Sequence, residues 1–168
     1  MDMDKGEFLE IEKYHTKDID GNVLANALRF VFLCPGVDEK DLIRLQIRDV
    51  KNPNGEIVSG VILGKGRAPL FEKAKNLMRK HLGYLYDNGY NLARNAPLFP
   101  KGNKLGYSNS KELQRDLKKI VDFLSIQNDY FQRDTINIER ISHRVMDEYY
   151  TILGREHYLF LRDELKSG

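Results

Sequence analysis

Apolar residues recur at Val23, Leu24, Ala27, Leu28, Val31 and Phe32, the i, i+3/i+4 spacing of a helix with a broad buried face. Pro35-Gly36 stops it. Asp38 then offers an N-cap oxygen with Asp41 three residues on, a variant of the capping box, ahead of a short second helix through Leu42, Ile43 and Leu45. Ile47 to Val50 and Ile57 to Leu63 are β-branched runs joined by Lys51-Asn52-Pro53-Asn54-Gly55, and their pattern predicts a hairpin. Gly64-Lys65-Gly66-Arg67 makes a second turn. Helical spacing returns from Phe71 to Tyr86, with Phe71, Ala74, Leu77, Met78, Leu82 and Leu85 on one side and Lys73, Lys75, Arg79 and Lys80 on much of the rest. Gly89 and Pro97 bracket a loop ending in Leu98-Phe99-Pro100, and 101–109 is turn-rich and polar.

Ser110 or a neighbour caps a helix running to about Ile126, with Leu113, Leu117, Ile120, Val121 and Leu124 inside. Two more helices are predicted, about 137–153 and 156–166, divided at Gly154. Residues 1–20 have poor periodicity and seven Asp/Glu against three Lys, so they read as a frayed or loosely packed acidic arm. The fold class expected is mainly α with a small antiparallel β-sheet: one domain over 21–168 behind that arm.

Charge changes the picture more than composition does. The 168 residues carry a formal +2, which announces no polyanionic partner. The total conceals a partition: residues 61–120 hold thirteen Lys/Arg against four Asp/Glu, a net +9, between an N-terminal −4 and a C-terminal −3. Such a block can follow a phosphate backbone, each neutralised phosphate adding salt-dependent affinity. The alternative is a set of solvated helix faces. Cys34, the single cysteine, cannot form an internal disulfide and reads as a small buried hydrophobe within Val31-Phe32-Leu33. No basic start precedes an apolar stretch and no apolar run approaches about 20 residues, so a cytoplasmic protein without a membrane partner is expected.

Cofactor chemistry finds little purchase. His15, His81, His143 and His157 have no metal-ligand spacing with one another or with Cys34, and no metal is expected. Gly64-Lys65-Gly66 lacks the P-loop spacing, so no nucleotide hydrolysis and no cofactor is expected. Tyr84, Tyr86 and Tyr90 interleave with the basic block; they read first as tyrosines half-buried over the core, and second as base-stacking groups.

One order of motifs is specific. Gly36-Val37-Asp38-Glu39-Lys40-Asp41-Leu42-Ile43-Arg44-Leu45-Gln46-Ile47-Arg48-Asp49-Val50 is followed by Gly64-Lys65-Gly66-Arg67-Ala68-Pro69-Leu70, by Leu98-Phe99, and by the helix around Gln114-Arg115-Asp116-Leu117-Lys118-Lys119. Over roughly 22–154 this resembles the catalytic domain of the tyrosine recombinases, or phage integrases. Their pattern G-L-R-x-x-E-L-x-x-L-x-x-x-D-I precedes a hairpin with G-K-G at its turn, a P-L pair leading into a helix, and a later L-F. The resemblance implies that Lys65 occupies the position of the lysine that donates a proton toward the leaving 5′-oxygen. It also places Tyr130-Phe131-Gln132-Arg133 at the H-x-x-R motif, with Arg133 matching and Tyr130 replacing histidine, and Leu153-Gly154-Arg155 at L-G-H. An alternative register uses His143-Arg144.

The departures shape the functional expectation. Asp38 stands where the family has its first catalytic arginine, a charge reversal at a group that grips the scissile phosphate. No tyrosine stands in register for the nucleophile; Tyr158 is nearest and comes early. Attack on a phosphodiester needs cationic donors on the nonbridging oxygens, an aligned nucleophile and a proton donor. The resemblance therefore implies a DNA-binding domain of integrase type, related to DNA integration or recombination, that lacks strand cleavage. Its expected partners are duplex DNA and a second copy or an active recombinase. Lys65 and Arg133 are the catalytic-type positions, and Lys65, Arg67, Lys73, Arg79, Lys101, Lys104, Lys111, Arg115 and Lys118 the DNA contacts. Two rival readings are an active or accessory recombinase using Arg133, His143 or Arg144 with Tyr149, Tyr150 or Tyr158, and a helical adaptor that binds a basic partner through its acidic ends. The family's duplex-clamping N-terminal domain does not fit within 168 residues, so modest affinity is expected.

Overall fold

The computed structural model describes residues 11–102, 106–127 and 138–153. The architecture is mainly helical with a two-stranded antiparallel sheet. Helix α1 (Ile19–Leu33) is the centre: Val23, Leu24, Ala27, Leu28 and Val31 are buried as their spacing predicts, and Phe30 fills the core beside them. Around α1 pack α4 (Glu72–Asp87), α5 (Ser110–Gln127) and α6 (Ile138–Leu153). Helix α2 (Glu39–Arg44) follows Gly36, whose φ of +89° suits the residue without a Cβ. Asp38 caps α2: its side chain accepts from Asp41 N at 2.9 Å, and the Asp41 carboxylate accepts from Asp38 N at 3.1 Å. That is the reciprocal box the sequence foretells.

The first predicted hairpin forms differently. Ile47–Val50 is a single helical turn, α3, not a strand. Gln46 N donates to Asp49 Oδ2 at 2.7 Å, and Lys51 N closes onto Ile47 O. The backbone beside its start is the 94–98 segment, through Ile47 N to Ala96 O, Arg48 N to Arg94 O and Leu98 N to Leu45 O, and the expected partner keeps only its end, through Val58 N to Val50 O. The Asn54-Gly55 turn does form, with Gly55 at φ +92°, closed by Gly55 N to Asn52 O, Asn52 N to Glu56 O and Val58 N to Val50 O around the single bridge Lys51–Ile57. The true ladder is β1 (Gly60–Leu63) against β2 (Gly66–Pro69), turning at Gly64-Lys65.

Residues 11–18, the described part of the expected acidic arm before α1, are packed rather than loose, and residues 1–10 lie outside the described residues. Ile11 is wholly buried in the core. Arg29 donates to the carbonyls of Ile11 (3.0 Å), Tyr14 (2.6 Å) and Glu12 (3.3 Å), and Asn22 exchanges bonds with both backbone atoms of Thr16 while donating to Tyr84 Oη. Residues 11–18 are therefore stapled to α1 by side chains that satisfy their main-chain groups. At the far side, Leu98 and Phe99 are buried, Phe99 packing on Phe30 and on His81. Cys34 is buried as expected, and desolvation pushes its thiol well above the ordinary range.

Candidate nucleic-acid interface

The β1–β2 hairpin alternates strictly, because successive side chains of a strand point to opposite faces. Val61, Leu63 and Ala68 are buried, whereas Ile62, 65% exposed, and Arg67 are paired on the outer face. Gly60 sits on that outer face, and a Cβ there would lie 2.7 Å from Arg67 Nε, so the missing side chain leaves room for the guanidinium along the strand. Lys65 is exposed at the turn.

Asp41 anchors the turn. This carboxylate is 1% exposed and accepts from Gly64 N at 2.8 Å, Arg44 Nη2 at 3.0 Å and the Asp38 amide. A buried charge held by three donors is a rigid post. It ties the residue preceding Lys65 to the first turn of α2, and Arg44 adds a bond to Ile62 O at 3.0 Å.

Helix α5 approaches the same turn of α2. Leu113, Leu117 and Ile120 are buried, and Asn109 Oδ1 caps the helix by accepting from Glu112 N. On the outer side Lys111, Arg115 and Lys118 are exposed at i, i+4 and i+7, one stripe of the helix surface. Gln114 lies within that stripe and donates to Glu39 Oε1 at 2.7 Å. The cationic stripe of α5 and the lysine turn of the hairpin are thus both fastened to one six-residue helix, about 9 Å long.

Other predicted contacts are placed differently. Lys101 is bound within the fold, at 2.7 Å from Glu112 Oε1 and 3.2 Å from Asp116 Oδ2, with its ammonium 5.3 Å from the Tyr107 ring centre. The hydrogen bond between Lys101 and Glu112 holds the lysine above and the carboxyl below its ordinary range. Arg79 is exposed on α4 and turned back onto Asn76 and Glu72. Lys73, also on α4, lines a cleft shared with α1 and residues 12–13 rather than the hairpin face. Lys104 lies outside the described residues.

For the catalytic-type positions, Asp38 is occupied as the cap of α2, bonded to the Asp41 that holds Gly64 at the lysine turn. Tyr130, Arg133, Arg155 and Tyr158 lie outside the described residues. His143 is exposed on α6, Arg144 is half-buried, and Tyr149 packs on Phe71 with ring centres 5.5 Å apart. Among the tyrosines of the basic block, Tyr84 accepts from Asn22 and Tyr90 donates to Asp20, its phenol pushed up to about 12 by burial and that carboxylate; only Tyr86 is strongly exposed. Among the described residues no group of three His, Cys, Asp or Glu is arranged for a metal ion, and no helix is long and apolar enough to cross a membrane.

Periodicity misses the interior polar relay. His81 is wholly buried; burial lowers it to about 4, so the ring is neutral. With the Leu98 carbonyl 2.6 Å from Nε2, that nitrogen is the donor, and Nδ1 accepts from Asn26 Nδ2 at 3.0 Å. Asn26 Oδ1 in turn accepts from Arg29 Nη1 at 2.7 Å. The available signal was spacing: Asn26 and Arg29 interrupt an apolar helix at i, i+3. Comparison of the chain with protein-family models, with curated proteins and with solved structures finds no match in any of the three.

Proposed function

We propose that the chain is a duplex-DNA-binding domain of tyrosine-recombinase type that grips the phosphate backbone and does not cleave it. The observation that carries the reading is the shared anchorage of two cationic elements. Lys65 and Arg67 on the hairpin, and Lys111, Arg115 and Lys118 on α5, flank one helix through the Asp41–Gly64 and Gln114–Glu39 bonds. These five exposed cations form no ion pair among the described residues. Cations on rigid elements contact phosphates with little loss of side-chain or loop freedom.

Cleavage is disfavoured by the chemistry of the same corner. The pentacoordinate phosphate accumulates negative charge on its nonbridging oxygens and needs cations there. Asp38 brings a carboxylate instead, and its capping role in α2 holds it in place.

Equilibrium binding of a duplex at low salt, together with a nicked suicide substrate, tests both halves. Salt-sensitive binding without a covalent adduct is expected. Absence of binding at low salt overturns the DNA reading, and a protein–DNA adduct overturns the non-cleaving one.

A further inference from the structure

Residues 12–13, α1 and α4 line a cleft of about 530 Å³, within the size range of small-molecule sites. Four cations line it, Lys13, Arg29, Lys73 and Lys80, against the single carboxylate of Glu12. None of the four cations forms an ion pair among the described residues.

Arg29 is the decisive member. It is half-buried, yet its guanidinium bonds go only to neutral oxygens: the carbonyls of Ile11, Glu12 and Tyr14 and the amide oxygen of Asn26. A guanidinium carries five N–H donors, and four are used, so one N–H of Nη1 is left over among the described residues. Burial weighs on this charge more than the nearby Glu12 carboxylate relieves it, and a half-buried cation with no ion-paired anion is costly in a fold. An anion arriving in the cleft removes that cost.

The other walls narrow the ligand. Lys73 and Lys80 stand two turns apart on α4, about 10 Å along its axis, and Asn76 and Leu77 lie between them, facing Leu33 of α1. One phosphate cannot engage cations so spread, whereas two or three linked phosphates can, and the paired leucines provide an apolar wall for an uncharged organic portion. We propose that this cleft binds an organic di- or triphosphate of nucleotide type, separately from the duplex face.

The test is calorimetric titration of the full chain with ADP and with pyrophosphate, repeated on Lys73→Gln/Lys80→Gln and on Lys111→Gln/Arg115→Gln/Lys118→Gln. The result expected is saturable binding, tighter for ADP than for pyrophosphate, weakened at least about tenfold by the α4 pair and unchanged by the α5 triple. Both sets of substitutions are at exposed positions, and the thermal midpoint of each variant verifies folding. No saturable ADP binding, equal loss in the two variants, or retention in the α4 pair overturns the assignment. A short single-stranded oligonucleotide that binds the cleft more tightly than ADP also overturns it, by making the site a contact for nucleic-acid backbone.

Discussion

Replacing His81 with glutamine removes the one titrating group of the buried relay while keeping an amide able to donate to the Leu98 carbonyl. In the native chain the ring is fully enclosed between Asn26, Phe99 and that carbonyl, and its value falls from 6.5 to about 4. Because the folded value is depressed, the unfolded chain takes up a proton first as pH falls below 6.5. Stability is complete above that value, declines through the window, and levels once the folded ring also protonates near 4. At about 1.4 kcal/mol per pH unit, the loss across the window is about 3 kcal/mol, a large part of a small domain's net stability. Urea unfolding followed by circular dichroism at steps between pH 7.5 and 4.5 measures it. The stability of His81→Gln should be lower at neutral pH and flatter with pH, the difference between the two proteins shrinking as the solution is acidified. Parallel pH profiles would refute the reasoning, because His81 would then not be a buried neutral group.

Asp41→Asn leaves three donors facing one acceptor oxygen and an NH2 group, and should cost about 1–3 kcal/mol, with faster hydrogen exchange at the Gly64 amide by NMR and weaker duplex binding. Unchanged exchange would free the hairpin from its anchor. Lys101→Gln should lower the thermal midpoint and leave the salt dependence of DNA binding untouched, whereas Lys111→Gln should do the reverse, reducing the salt slope by about one. Ser142 is 1% exposed and its hydroxyl has no hydrogen-bond partner among the described residues. Ser142→Ala should therefore be neutral or stabilising by up to about 1 kcal/mol in denaturant unfolding.

Local rules carried the helices and their caps. The 3.6-residue spacing of Ala74, Met78, Leu82 and Leu85, or of Leu113, Leu117 and Ile120, is a property of each segment alone, and so is the Asp38–Asp41 box. The second turn, Gly64 to Arg67, was legible for the same reason. What failed depended on partners distant in sequence. Ile47–Val50 has strand-like residues, yet its backbone meets 94–98, which no local pattern reports. The acidic composition of 1–20 spoke for looseness, while Arg29 and Asn22 hold 11–18 through main-chain carbonyls that composition does not register. By composition alone 61–120 is one cationic block. In the fold, Lys101 is neutralised by Glu112 and Asp116, Lys73 joins Lys13 and Arg29 around a cleft, and the hairpin and the α5 stripe share an anchor.

On the proposed reading these two elements act as one phosphate-binding face. Its most direct test is the slope of log affinity against log salt for duplex DNA, measured for the native chain, for Lys65→Ala/Arg67→Ala, for Lys111→Ala/Arg115→Ala/Lys118→Ala, and for all five together. Each phosphate contact contributes close to 0.9 to the slope, so reductions of about two, about three and about five are predicted, the last as the sum of the first two. A slope unaltered by the hairpin pair, or by the α5 triple, would contradict a shared face.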